Sequence, residues 1–305
     1  MESAQKLMNR YQLLRPIGGG GMGRVWLAHD ENLLRDVAVK QVVAPPNIDS
    51  REKDRVRRLA VREAQAAAQI SHPNAVRIYD IVHSETMPWI VMEYVPSRSL
   101  HQLLREKGSP FTPGFVAMIG LAVLDALTAA HRAGVLHRDV TPHNILVGDD
   151  KRIFLTDFGL AAWNPFDGRT LLAGEMAGKP QYMAPERLQF GMSIPEGDLW
   201  SLGATLYAAV EGRVPFIRDS LAETLTAQIH EAPDPPRYAG PLTPILCGLL
   251  QREPKLRMGA PEVRTQLLKI MGLPDEGAVA QREIVPRRQR LQSAQTVAMV
   301  PAPAA

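Results

Sequence analysis

The segment His137-Arg138-Asp139-Val140-Thr141-Pro142-His143-Asn144 sets a carboxylate and a carboxamide five positions apart, directly before the apolar run Ile145-Leu146-Val147. A polar stretch feeding an apolar run of this kind reads as a loop entering a strand. Further along, Asp157-Phe158-Gly159 follows a second apolar run, Ile153-Phe154-Leu155. Oxygen donors at the ends of adjacent strands, here Asn144 and Asp157, can hold Mg²⁺. Asp139 is then free to take a proton from a hydroxyl. The segment thus pairs a base with a metal ligand.

Three other positions have chemistry to offer. Residues 17–25, Ile17-Gly18-Gly19-Gly20-Gly21-Met22-Gly23-Arg24-Val25, contain Gly-x-Gly-x-x-Gly-x-Val. Glycines let a backbone approach phosphates closely and adopt positive φ. A dinucleotide-binding turn or a plain hairpin would use the same residues, but the dinucleotide reading needs a helix directly afterwards. Arg24-Val25-Trp26-Leu27-Ala28 reads instead as a strand, which makes the loop a flap between two strands. Lys40 ends Val37-Ala38-Val39-Lys40, either as an edge-strand lysine facing solvent or as a lysine with a partner. Glu63, within Arg62-Glu63-Ala64, is the counter-ion candidate, against the blander reading of a surface glutamate.

The elements that must position these residues fall into two halves. Tyr11–Leu14, Arg24–Ala28, Asp36–Lys40, Val76–Val82 and Trp89–Val95 read as strands. Between them, residues 51–70 carry Val56, Leu59, Ala60, Glu63, Ala67 and Ile70 at the spacing of one helix face. From about Ser99 the period becomes helical, with patterns at 99–106, 114–133, 197–211, 220–230, 242–251 and 261–271 separated by Pro and Gly. The interval 160–183 is too long for an ordinary connection and reads as functional or mobile. Residues 273–305, rich in Pro, Ala, Gln and Arg without periodicity, read as a flexible tail. No internal repeat is visible.

Composition narrows the class. A chain of 305 residues, 45% hydrophobic and 22% charged, is ordinary for a soluble protein with a sizeable core. A single cysteine, Cys247, excludes an internal disulfide framework and fits a reducing compartment. No apolar run reaches the length of a membrane span, and the N-terminus lacks a signal-peptide core, so a cytoplasmic location is expected. The net charge of +3 is too small to argue for nucleic acid. The basic cluster at 51–62 is interleaved with Glu52 and Asp54, as on a solvated helix face.

Taken in order, these motifs resemble the catalytic domain of eukaryotic-like (Hanks-type) bacterial serine/threonine protein kinases, over about residues 11–272. The resemblance implies an α+β bilobal fold. A small β-rich lobe with one main helix would span 11–95 and a mainly helical lobe 96–272, with an N-terminal arm at 1–10. It implies ATP and Mg²⁺ (or Mn²⁺ in its place) as cofactors, and protein substrates with Ser or Thr acceptors as partners. A homodimer stays open, and neither nucleic acid nor a membrane segment is implied. Asp139 would be the catalytic base, Asn144 and Asp157 the metal ligands, and Lys40 with Glu63 the ion pair on the phosphates. The nucleotide would touch Ile17, Gly18, Gly20, Gly23, Val25, Ala38 and Leu146, with Met92 as gatekeeper and the backbone of Glu93 and Val95 on adenine. Arg138 would read a phosphorylated loop residue. Glu186 with Arg257 would form a buried pair, and Asp198 would fix the catalytic-loop backbone.

Two positions depart from the family pattern. A lysine is usual where this chain has Thr141, and a threonine is usual where Gly178-Lys179-Pro180 has Lys179. A unit charge about 4 Å from the γ-phosphate is worth about 4 kcal/mol at an effective dielectric near 20. Thr141 can supply one neutral hydrogen bond and none of that charge. Either Lys179 reaches Asp139 or the γ-phosphate from the opposite side, or it is a solvated loop residue. In the second case the alternative is a nucleotide-binding pseudokinase or scaffold. Lysine is scarce, 8 against 27 arginines, which adds mild weight to its placement. Between Asp157 and Glu186 the only Ser or Thr is Thr170, so weak dependence on loop phosphorylation is expected, with Glu175 as a built-in anion.

Overall fold

In the computed structural model, which describes residues 6–20, 23–44, 48–84, 87–159 and 179–274, the β-branched runs of the first third pair into one antiparallel sheet. Strands β1 (Lys6–Leu7), β2 (Tyr11–Gly20), β3 (Gly23–Asp30) and β4 (Arg35–Val42) come first. Helix α1 (Ser50–Ala67), β5 (Ile78–Val82) and β6 (Trp89–Glu93) follow. The sheet order is β1-β2-β3-β4-β6-β5. Lys40 on β4 stands between Val25 of β3 and Ile90 of β6, so it is an interior lysine.

Helix α1 starts where Asp49 caps it, its carboxylate accepting the Glu52 N–H at 2.8 Å. Val56, Ala60, Ala64 and Ala67 form its buried stripe, which packs with Val42, Met87 and Ile90. The helix ends three residues before the expected Ile70. There the N–H groups of Gln69 and Ile70 turn to carbonyls three residues back, on Ala66 and Ala67. The strand expected from Val76 begins at Ile78, because Val76 is already used. Its N–H donates to the Leu155 carbonyl at 3.0 Å, and Ala75 bridges Leu155. That short contact ties the sheet-rich half to the helical half.

The second half contains β7 (Ser97–Ser99), α2 (Leu100–Lys107), α3 (Pro113–Arg132), β8 (Ile145–Gly148) and β9 (Ile153–Leu155). After these come a 3₁₀ turn at Pro180–Tyr182, α4 (Pro185–Phe190), α5 (Pro195–Glu211), α6 (Leu221–His230), α7 (Thr243–Leu249) and α8 (Ala260–Met271). Strands β7, β8 and β9 make a small second sheet. β7 and α4 escape sequence reading: Ser-Arg-Ser has no apolar alternation, and six residues are too few to show a helical period. Helix α3 corrects one expectation, since its 20 residues with mean hydropathy 1.7 are long and apolar enough for a membrane span. It is the core helix of this half, with Val116, Ile119, Val123 and Leu127 fully buried in the cluster that also holds residues of α5 and α8. Gly203 lets α5 approach α7, since a Cβ there would lie 2.7 Å from that of Leu249.

Glu186 and Arg257 form the expected pair inside this half. Nη1 and Nη2 of Arg257 donate to Oε1 and Oε2 of Glu186 at 2.9 and 3.1 Å, with both residues buried. A fork of this kind satisfies two charges together, so removing one strands the other in a dry site. Glu186→Ala should therefore lower unfolding free energy by about 3 kcal/mol or more in urea denaturation. An effect under about 1 kcal/mol would mean the pair is solvated.

Candidate active site

The loop between α3 and β8 gets its shape from α5. Asp198, in the first turn of α5, accepts the N–H of His137 at 2.9 Å and of Arg138 at 2.8 Å, and pairs with His131 Nε2 at 2.8 Å. Burial opposes its charge, but the bond from His131 and the nearby His137 outweigh this and hold the carboxyl below its ordinary range. Arg138 has φ +68°, a left-handed backbone that is strained for a side chain of its size. Its carbonyl accepts from Arg187 Nη1, and Thr205 Oγ1 donates to the Val140 carbonyl at 3.0 Å. The buried His137 ring accepts the Asp139 N–H at Nδ1, leaving Nε2 to donate to the Thr156 carbonyl at 2.8 Å. Phe158 packs edge-on to that ring at 4.9 Å.

Asn144 then locks onto Asp139. Its Nδ2 donates to both the carbonyl and Oδ2 of Asp139, each at 2.8 Å, which leaves its own Oδ1 outside these bonds. Asp157, with φ +67°, brings Oδ2 to 2.9 Å from Lys40 Nζ. This corrects the expected Lys40–Glu63 pair. Lys40 is buried and must meet an anion, and the one it meets is Asp157. Glu63 Oε2 instead lies 3.0 Å from Arg138 Nη1. Arg138 therefore faces α1 rather than a loop phosphate, and Thr170 and Glu175 lie outside the described residues.

Asp139, Asn144 and Asp157 line one cleft of about 720 Å³, together with Lys40, Thr141 and Lys179. Its apolar end is a slot lined by Ile17, Val25, Ala38, Val76, Met92 and Leu146, which cluster with the buried Phe154. At the edge of the slot the Glu93 N–H is committed to the Arg77 carbonyl at 2.8 Å, and the Val95 carbonyl accepts from Ser97 Oγ. The glycine segment is a flap between two strands, with Gly18 opposite Val25 and Gly20 opposite Gly23. Only glycine fits at Gly23, where φ is +125° and a Cβ would fall 1.8 Å from the Gln41 carbonyl. Thr141 departs from expectation. Its side chain is buried, and among the described residues Oγ1 has no hydrogen-bond partner.

The donor set fits a hard divalent cation. Asn144 Oδ1 and the second oxygen of Asp157 are free of the bonds described, and both are oxygen ligands. Among the described residues no cluster of three or more His, Cys, Asp or Glu exists. An ion held by Asn144 and Asp157 would complete its shell with water and phosphate oxygens rather than an all-protein cage.

Sequence reasoning passed over several residues of this site. His131, Arg187, Thr205 and the ring of His137 act through bonds to residues 19 to 67 positions away, which no local pattern encodes. His101 of α2 and His143 were also unassigned. Their rings stack at 3.8 Å in the cleft, and His143 Nδ1 is buried without a partner among the described residues. Burial, then His101 and Lys179, depress the His143 imidazolium from 6.5 to about 4. A depressed folded-state value means the unfolded chain takes up the proton first. Stability should fall as pH drops from 6.5 toward 4, and His143→Gln should flatten that fall. Urea titrations of the two proteins at pH 7, 5 and 4 decide this, and parallel curves would refute it.

Three comparisons bear on the site. The family model described as Protein kinase domain matches residues 11–268. A probable serine/threonine-protein kinase of Streptomyces coelicolor is 33% identical over 291 residues, covering 92% of this chain and 42% of that protein. Serine/threonine-protein kinase PrkC of Bacillus subtilis is 34% identical over 236 residues, 77% of this chain and 35% of its own length. This chain thus spans less than half the length of these curated relatives. The crystal structure of the Mycobacterium tuberculosis PknI kinase domain superposes with a TM-score of 0.67 at 26% identity, covering 88% of this chain and 98% of that one. Two lobes, a glycine flap and a cleft holding Asp139, Asn144, Asp157 and Lys40 accompany a family match across most of the sequence, and the chain belongs to the protein kinase domain family.

Proposed function

We propose that this chain transfers the γ-phosphoryl group of ATP to Ser or Thr hydroxyls of protein substrates, as a bacterial signalling kinase. The observation that carries the reading is the convergence of Asp139, Asn144, Asp157 and Lys40 on one cleft with an apolar slot at its far end. Adenine fits between Ala38 and Leu146, bounded by Met92, against the backbone of Glu93 and Val95. Lys40 offers its ammonium to the phosphates in exchange for Asp157, and the flap at Gly18–Gly23 covers them. Asn144 and Asp157 would hold Mg²⁺, which neutralises charge on the phosphate oxygens when bound. Asp139, its Oδ2 fixed by Asn144, orients the acceptor hydroxyl and takes its proton. Positioning and charge stabilisation then supply most of the rate.

The test is phosphoryl transfer from ATP and Mg²⁺ to a Ser/Thr protein substrate, compared with Asp139→Asn. The variant should lose about 10²- to 10⁴-fold in kcat while still binding nucleotide. Wild type that binds nucleotide and transfers nothing would establish the scaffold reading instead.

Loop phosphorylation should matter little, because Arg138 already has a carboxylate partner in Glu63. Thr170→Ala should keep activity within about threefold of wild type. Dense Thr170 occupancy by mass spectrometry, with strong activation, would overturn this.

A further inference from the structure

We propose that Lys179 is a catalytic residue, supplying from the rim of the cleft the positive charge that Thr141 cannot supply from its floor. The inference rests on the phosphoryl-transfer reading and adds a residue to it. Three cationic side chains among the described residues line the cleft: Arg15, Lys40 and Lys179. Lys40 is buried and paired with Asp157 at 2.9 Å. Arg15 is an exposed residue of β2, paired in register with Leu27, on the opposite lobe from Asp139. Lys179 is exposed, and its side chain has no hydrogen bond or ion pair among the described residues. It shares the wall of the cleft with Asp139, Thr141 and His143.

The backbone under Lys179 is held firmly. Its carbonyl accepts the Tyr182 N–H at 3.0 Å, starting the 3₁₀ turn at Pro180–Tyr182. Inside the turn the fully buried Gln228 of α6 donates from Nε2 to the carbonyls of Pro180 and Met183. A fixed Cα with a free four-carbon arm suits an ammonium that must follow a phosphoryl group in motion.

In the transfer step the acceptor oxygen bonds to phosphorus as the bond to the β-bridging oxygen breaks. The electron pair of that bond leaves on ADP, and the hydroxyl proton passes to Asp139. Negative charge is spread over the equatorial oxygens in between, and a cation placed there lowers the barrier. Thr141, neutral and with its hydroxyl buried and unpartnered, contributes none of this.

The experiment compares wild type, Lys179→Thr, Lys179→Met and the exchanged pair Thr141→Lys with Lys179→Thr. Each is assayed for kcat, peptide KM, melting temperature, and affinity for ADP and for a non-hydrolysable ATP analogue, with and without Mg²⁺. Both single variants should lose at least about thirtyfold in kcat, with melting temperature and peptide KM little changed. Their preference for the ATP analogue over ADP should shrink. The exchanged pair should recover kcat to within about fivefold of wild type and restore that preference.

Lys179→Thr with wild-type kcat overturns the proposal. So does a loss confined to peptide KM, which would make Lys179 a substrate-binding residue, or an exchanged pair that recovers nothing. An inactive wild type would sink the kinase reading instead, and the nucleotide affinities would still decide whether Lys179 meets the γ-phosphate.

Discussion

Asp198 accepts the N–H groups of His137 and Arg138 from inside the first turn of α5, and those two bonds hold the loop in a shape it would not keep alone. Arg138 at φ +68° is a conformation that costs of order 1 to 3 kcal/mol unless the surroundings over-determine it. Here they do, because its N–H, its carbonyl and its guanidinium each have a separate partner in Asp198, Arg187 and Glu63. The turn that results presents Asp139 to the cleft, where Asn144 fixes its carboxylate.

Four charged groups, Lys40, Glu63, Arg138 and Asp157, share two ion pairs between the lobes. The pairing is not the only one their charges allow. Glu63 can turn to Lys40 only by leaving Arg138, whose guanidinium then needs another anion. Asp157 can turn its carboxylate to a metal only if Lys40 has a phosphate or Glu63 to meet. The position of α1 is therefore coupled to what occupies the cleft, through charge balance rather than through any single contact.

What could be read from the sequence had a local signature. The glycine flap, the Lys40 strand, the α1 stripe and the Asp139–Asn144 spacing each sit within about ten residues, and the fold places them as expected. Glu186 and Arg257, 71 positions apart, were legible only through family resemblance. The partner of Lys40 was misread for a physical reason. Asp157 and Glu63 are both carboxylates, and the choice between them rests on tertiary geometry, including the left-handed backbone at Asp157, that no periodicity reveals. The stacked histidines, Arg187 and Gln228 were missed because each acts across a tertiary contact between segments that look unremarkable alone.

Burial is the physical ground for the proposed placement of the charge at 179 rather than 141. Thr141 is 1% exposed, so an ammonium rooted there would begin from a dry site and carry a desolvation cost until a phosphate meets it. Lys179 is rooted on the exposed rim and keeps its water in the resting protein. The opposing cost is entropic, since a free lysine side chain gives up roughly 1.5 to 2 kcal/mol of rotamer freedom when it is held in one geometry. A buried lysine loses most of that freedom on folding, whereas an exposed one loses it only when the γ-phosphate arrives. The exchange therefore moves an energetic cost out of the folding of the chain and into the binding of its nucleotide, which is why the preference for a γ-phosphate is the property that most directly reports on Lys179.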